Sequence, residues 1–175
     1  MSRQFSKTLA ISQLAKLVLP AAFAAFLVLG TSPARADDAV FVAGYNGQAS
    51  VQMDEDSGNI LIQAILPGSS NWLPGSQGYF SHAILPNDPT TLNGAFMLAG
   101  GDTGTVTGTY QGTQTQADLD GIVLISGTYT IMDGWLEDFG AAVGSGVIDG
   151  VVNLNTGQMS VTLIGTVSPA TPTPS

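Results

Sequence analysis

From residue 38 onward apolar side chains recur at every second position, and turn signals break the pattern at intervals of about 8–12 residues. Val161, Leu163, Gly165 and Val167 share one face, with Thr162 and Thr166 on the other. Val123, Ile125, Gly127, Tyr129 and Ile131 form a second stripe of the same kind. A period of two is that of a strand with one face buried. It predicts strands over 39–44, 48–53, 59–66, 78–85, 92–99, 104–110, 121–131, 146–154 and 158–167, with no amphipathic helix. The intervening turns are Asn46-Gly47, a hairpin pair by composition, then DEDSG at 54–58, a Pro/Gly loop at 67–78, PNDP at 86–89 and GGDTG at 100–104. Further on, TQTQADLD at 113–120 reads as a polar crossover, the Gly-rich run after Ile131 as a turn, and Asn155-Thr156-Gly157 as a last hairpin.

Short strands and regular turns mark an all-β chain. Strand glycines such as Gly108, Gly127, Gly150 and Gly165 suit a strongly curved sheet, and closure removes exposed edges. The expectation is a single small antiparallel β-barrel of about eight strands, with a β-sandwich as the alternative.

Residues 1–36 stand apart from this pattern. Arg3, Lys7 and Lys16 precede the apolar run LVLPAAFAAFLVLG at 17–30, and TSPARA ends in a small-x-small triplet. This is the layout of a signal peptide cleaved after Ala36. Its apolar run is shorter than the roughly 20 residues that span a bilayer. The expected organisation is a signal peptide at 1–36, a barrel at 37–167 and a disordered Pro/Thr/Ser tail at 168–175. The expected destination is the periplasm or the exterior.

The leader changes the electrostatic picture. All four basic residues lie within it and all 13 acidic residues beyond it, so the chain from Asp37 contains no Lys or Arg. Partners that need cations, nucleic acids and anionic membrane surfaces, are excluded on that ground. There is no cysteine, hence no disulfide and no lipidated N-terminus. A membrane barrel would need aromatic girdles and a lipid-facing apolar band; only ten aromatics follow residue 36.

Candidate chemistry is sparse. His82 is the sole imidazole, which excludes the usual His/Cys zinc sites. Ser81 adjoins it and points to the opposite strand face, so no Ser-His pair forms, and His82 is expected to be a partly exposed strand residue. Asp54, Glu55 and Asp56 begin like an oxygen-ligand loop for calcium, but Ile65 occupies the place of the bidentate Glu. No other cofactor is expected. Trp72 and Trp135 sit in loops where an aromatic ring can stack on a sugar or an apolar ligand. Asp133, Glu137, Asp138 and Asp149 gather around the second of these and could supply a carboxylate pair for acid/base work. The candidate ligand-binding set is Trp72, Trp135, Glu137, Asp138 and Phe139.

Two stretches carry a family likeness. SGTYTI at 126–131, followed by DG, an aromatic-containing turn, GSG, a TG hairpin and a closing GT strand, resembles a group of exported bacterial β-proteins built from those phrases. LNGAFMLAGGDTGTVTGTYQGT at 92–113 is similar to the strand–turn–strand that precedes SGTYTI in that group. The likeness covers about residues 78–167 and speaks to architecture. More remotely, the Gly-rich turn with its Phe is similar to dirigent proteins and allene oxide cyclases. That similarity implies an eight-stranded barrel with an apolar ligand in its bore. Their G-T-G-x-F run is replaced here by GWLEDF at 134–139, without the accompanying basic residue. Phe139 and the glycines would carry over as closure features, and no catalytic residue transfers. The functional expectation is a non-enzymatic acidic barrel that binds a small apolar or carbohydrate-like ligand or builds the envelope. The alternative is a dirigent- or cyclase-like enzyme acting on an apolar intermediate.

Overall fold

A computed structural model describes residues 38–117, 121–138 and 140–170. The leader read at 1–36, the end of the tail and Phe139 lie outside them. Eight strands follow one another up and down: β1 (Ala39–Met53), β2 (Ile60–Ser70), β3 (Gln77–Ile84), β4 (Thr91–Ala99), β5 (Gly104–Gln116), β6 (Ile122–Leu136), β7 (Gly140–Asn153) and β8 (Gln158–Pro169). Each pairs antiparallel with the next, and β1 closes the barrel against β8, with Ala39 opposite Val167. A single 3-10 turn, Gly101–Thr103, joins β4 to β5. The barrel expected from the alternation is present, and the sandwich is not.

Period-two burial holds on every strand. Phe41, Ala43 and Tyr45 of β1 and Val161, Leu163 and Val167 of β8 are buried, while their neighbours face outward. An eight-stranded barrel is just wide enough for side chains to fill, and aromatic rings fill this one. They run from Tyr45 to Phe80 (5.8 Å between centroids), Phe96 (6.4 Å), Tyr129 (5.9 Å) and Phe41 (6.3 Å). Rings of this size fit because glycines face them. A β-carbon on Gly94 would stand 2.2 Å from Tyr110 Cζ, and one on Gly165 would stand 2.6 Å from the Tyr129 hydroxyl oxygen. Burial of each large side chain is worth about 1.5–3 kcal/mol, so this lining is the main source of stability in a chain without disulfides.

The outward faces are mostly polar. β5 presents Thr105, Thr107, Thr109, Gln111, Thr113 and Thr115, and β6 adds Ser126, Thr128 and Thr130. A lipid-facing band is the reverse of this arrangement. Among the described residues no helix is long and apolar enough to cross a membrane.

Four local expectations are corrected. Asn46-Gly47 makes no hairpin; it lies inside β1, where Asn46, Gly47 and Gln48 pair with Ser160, Met159 and Gln158 of β8. The partner strand holds them extended, so the chain has eight strands and not nine. The crossover read at 113–120 is ladder as far as Gln116, and Ala117 N–H donates to the Ile122 carbonyl at 2.8 Å; residues 118–120 lie outside the described residues. The loop read at 67–78 shrinks to residues 71–76 between β2 and β3. The Gly-rich turn after Ile131 is two strands, β6 to Leu136 and β7 from Gly140, with Glu137 and Asp138 in a turn.

That last region holds a β-bulge. Gly108 pairs with Ile131 but Thr107 with Asp133, and on the other side Ile131 pairs with Gly144 but Trp135 with Ala141. Each register gains one residue on β6, so Met132 and Asp133 both face outward and Gly134 turns in. Had strict alternation run on from Ile131 with no bulge, the Asp133 carboxylate would point into the bore. The bulge keeps it out.

Candidate functional site

The barrel has two ends and a wall, and the expected site residues are spread over all three. Trp72 lies in the loop between β2 and β3, which folds onto β1. Trp72 Nε1 donates to the Val40 carbonyl at 2.8 Å, and the adjacent Asn71 amide accepts from Val42 N–H (2.9 Å) and donates to Val40 O (2.8 Å). Leu73, fully buried, follows them into the end of the bore. Trp135 is outward on β6, 51 % exposed, between Thr105 and Ala141. Glu137 and Asp138 are exposed in the following turn, where Glu137 N–H donates to the Thr103 carbonyl. These residues share one end of the barrel with Trp72, but β7 and β8 stand between β6 and β1. Phe139 is outside the described residues. Asp149 is on the outer wall, opposite Ser126 and Thr162. The carboxylates that cluster in sequence are dispersed in space.

Asp54, Glu55 and Asp56 occupy the opposite end. Asp54 accepts from Asp56 N–H at 3.1 Å and from the Ser57 hydroxyl at 2.5 Å. The Ser57 bond, then the Asp56 bond, holds its carboxyl below the usual range. The motif is thus a hydrogen-bonded hairpin turn. Among the described residues no group of three or more His, Cys, Asp or Glu side chains is arranged to hold a metal ion.

Inside the bore there is no described carboxylate; every one of them is exposed or half-buried. Among the described residues the buried polar side chains are Ser70, Ser76, His82, Gln114 and tyrosines, and the Tyr45 hydroxyl bonds to Ser76 Oγ at 2.7 Å. His82 corrects the expectation of partial exposure: it is 3 % exposed and faces inward on β3, while Ser81 faces out. Its Nδ1 lies 2.9 Å from the Tyr110 hydroxyl, which in turn donates to the Ser81 carbonyl at 3.2 Å. That chain assigns the proton to Nδ1, which donates to Tyr110. Nε2 is left without a partner, as are Gln114 Oε1 and the Tyr129 hydroxyl. Burial pushes the His82 pKa down to about 4 and those of Tyr110 and Tyr129 up. The imidazole is neutral and sealed in.

The open concavity is on the outer wall. A groove of about 710 Å³ crosses β1 to β4, lined among others by Gln48, Gln63, Ile65, Tyr79, Ser81 and Met97. Its origin is local. The β1–β2 ladder lapses between the Tyr45–Gly68 and Ala49–Ala64 pairs, where Pro67 has no N–H to give. Gln48 and Ile65 flank that gap. Beyond it the register aligns Ile65, Tyr79 and Met97 in one row across the strands and Gln63, Ser81 and Ala95 in the next. The Tyr79 hydroxyl donates to Gln77 Oε1 at 3.2 Å, fixing the ring against the wall. None of the eleven lining residues is charged. A shallower hollow of about 380 Å³ lies over Gly112 and Gly127, rimmed by Thr91, Asn93, Gln111 and Thr128.

The groove residues were missed in the sequence because each alone is an ordinary outward residue. The one available signal was bulk at outward positions: Ile65, 59 % exposed, between Gln63 and Pro67, and Met97 between Ala95 and Ala99. Comparison with family models, with curated proteins and with solved structures gave no match to this chain.

Proposed function

We propose that the protein is an exported, non-enzymatic β-barrel that binds its ligand, apolar or carbohydrate-like, on the outer wall and not in the bore. One observation carries this reading: the bore is packed with aromatic rings seated on glycines and presents no carboxylate among the described residues, while an uncharged groove of about 710 Å³ lies open across β1–β4. The enzyme alternative requires space for a substrate and a paired acid and base facing it. The groups suggested for that role, Glu137 and Asp138, face solvent at the barrel end. Export rests on the leader at 1–36 and on a remainder free of Lys and Arg.

Native mass spectrometry of the protein from its own source, with variants on either side of the wall, tests the proposal. A bound small molecule is expected to be lost from Tyr79→Ala and kept by the bore variant Phe41→Leu, a residue that is buried and does not line the groove. Loss from Phe41→Leu with retention by Tyr79→Ala would place the ligand inside and overturn the reading.

A further inference from the structure

The groove's chemistry narrows the ligand class, an inference that rests on the outer-wall reading above. From Asp37 on, the chain carries 13 acidic residues and no Lys or Arg. An anionic ligand would be repelled by the field of such a chain, and a cationic one would be drawn to the exposed carboxylates elsewhere. The groove has no charged residue to oppose or use that field. Its occupant is therefore neutral.

The two rows of side chains divide the work further. Ile65, Tyr79 and Met97 align as an apolar row; Gln63 and Ser81 align beside them, with Gln48 and Ser50 at the β1 edge. A purely apolar ligand would cover the amides and hydroxyls without satisfying them, at the cost of their desolvation. A pyranose matches both rows: its C–H face lies on the ring and aliphatic side chains, and its hydroxyl rim meets amides that both donate and accept. Neighbouring strands stand about 4.8 Å apart, comparable to the advance per unit of an extended pyranose chain. β2 and β3 each then offer one apolar and one polar outward side chain per sugar, Ile65 with Gln63 and Tyr79 with Ser81.

We propose that the β1–β4 groove binds a neutral glycan chain laid across the strands, with Tyr79 as its stacking platform and Gln63 as its principal amide contact. The hydrogen bond from Tyr79 to Gln77 holds the platform in place before the ligand arrives, which lowers the entropy cost of binding.

Affinity electrophoresis and titration calorimetry with laminarin, hydroxyethyl cellulose and galactomannan test the proposal, with alginate and chitosan as charged counterparts and anilinonaphthalene sulfonate as an apolar probe. At least one neutral glycan is expected to bind. Tyr79→Ala and Gln63→Ala should each weaken that binding at least tenfold while melting near wild type, and Thr128→Ala on the far wall should leave it unchanged. Binding of none of the three, equal binding of alginate, or indifference to both groove variants would overturn the assignment. If only the apolar probe binds, and does so through Tyr79, the glycan falls and the outer-wall reading stands; if nothing binds, both fall. A dimer in native mass spectrometry that Tyr79→Ala dissociates would make the groove a self-interface and overturn the glycan as well.

Discussion

The Nδ1 atom of His82 lies 2.9 Å from the Tyr110 hydroxyl, in the middle of a bore with no described carboxylate. Among the described residues Tyr110 is the only titratable group with a bond to the imidazole, and a neutral phenol does not compensate a positive charge. Folded His82 takes its proton only near pH 4, because burial disfavours the cation; the unfolded chain takes it near 6.5. Between these values the unfolded state holds more protons, and stability falls as pH drops. The contribution is complete above about pH 6.5 and lost by about pH 4, amounting to about 3 kcal/mol. Asp54, whose carboxyl is held low, acts in the same direction but below this window. Urea melts from pH 7 to 4 should slope steeply for the wild type and less for His82→Leu; parallel slopes would exclude His82 as the source.

Gly94 and Tyr110 are coupled by contact. A β-carbon at Gly94 would come within 2.5 Å of the Tyr110 ring and hydroxyl, so the ring must shift and its bonds to His82 and Ser81 must stretch. Gly94→Ala should cost about 2–3 kcal/mol, overpacking plus a lost buried bond. In the Tyr110→Leu background the same substitution should cost clearly less. A double-mutant cycle reads the coupling.

The bulge on β6 makes a deletion prediction. Removing Met132 brings both ladders of β6 into continuous register, with Gly134 and Leu136 still turned inward. That variant should fold and melt cooperatively. Deleting Thr128, where there is no bulge, inverts one side of the strand and drives outward residues into the core. It should not fold. Circular dichroism melts of the pair separate the outcomes.

Asn71 acts as one extra rung of sheet for β1, bonding to Val42 N–H and Val40 O. Asn71→Ala should cost about 1–2 kcal/mol and speed hydrogen exchange at the Val42 amide selectively. Equal protection of Val42 in both proteins would show that the amide bond is dispensable.

These features differ in how far the sequence discloses them. The stripes from Val123 to Ile131 and from Val161 to Val167 gave strands and their buried faces directly, because burial of one strand face is a local pattern. Asn46-Gly47 misled, since the pair has hairpin chemistry and only β8, more than a hundred residues away, holds it extended. His82 misled in the opposite sense. A lone polar residue in a strand looks exposed until Tyr110 and the space over Gly94 are known to face it. The groove depends on register across three strands, and register is a property of pairs. The acidic cluster around Trp135 was conspicuous in sequence and dissolves in space through one bulge and one turn.

The pairing of β1 with β8 has a consequence in time. Ala39 meets Val167, so the first strand to leave a ribosome or a translocation pore finds its second partner last of all. Contacts this distant along the chain slow folding, because a long loop must close before they contribute. The hydrogen bonds of β1 to β8 are withheld until the final strand arrives, and the barrel stays open until then.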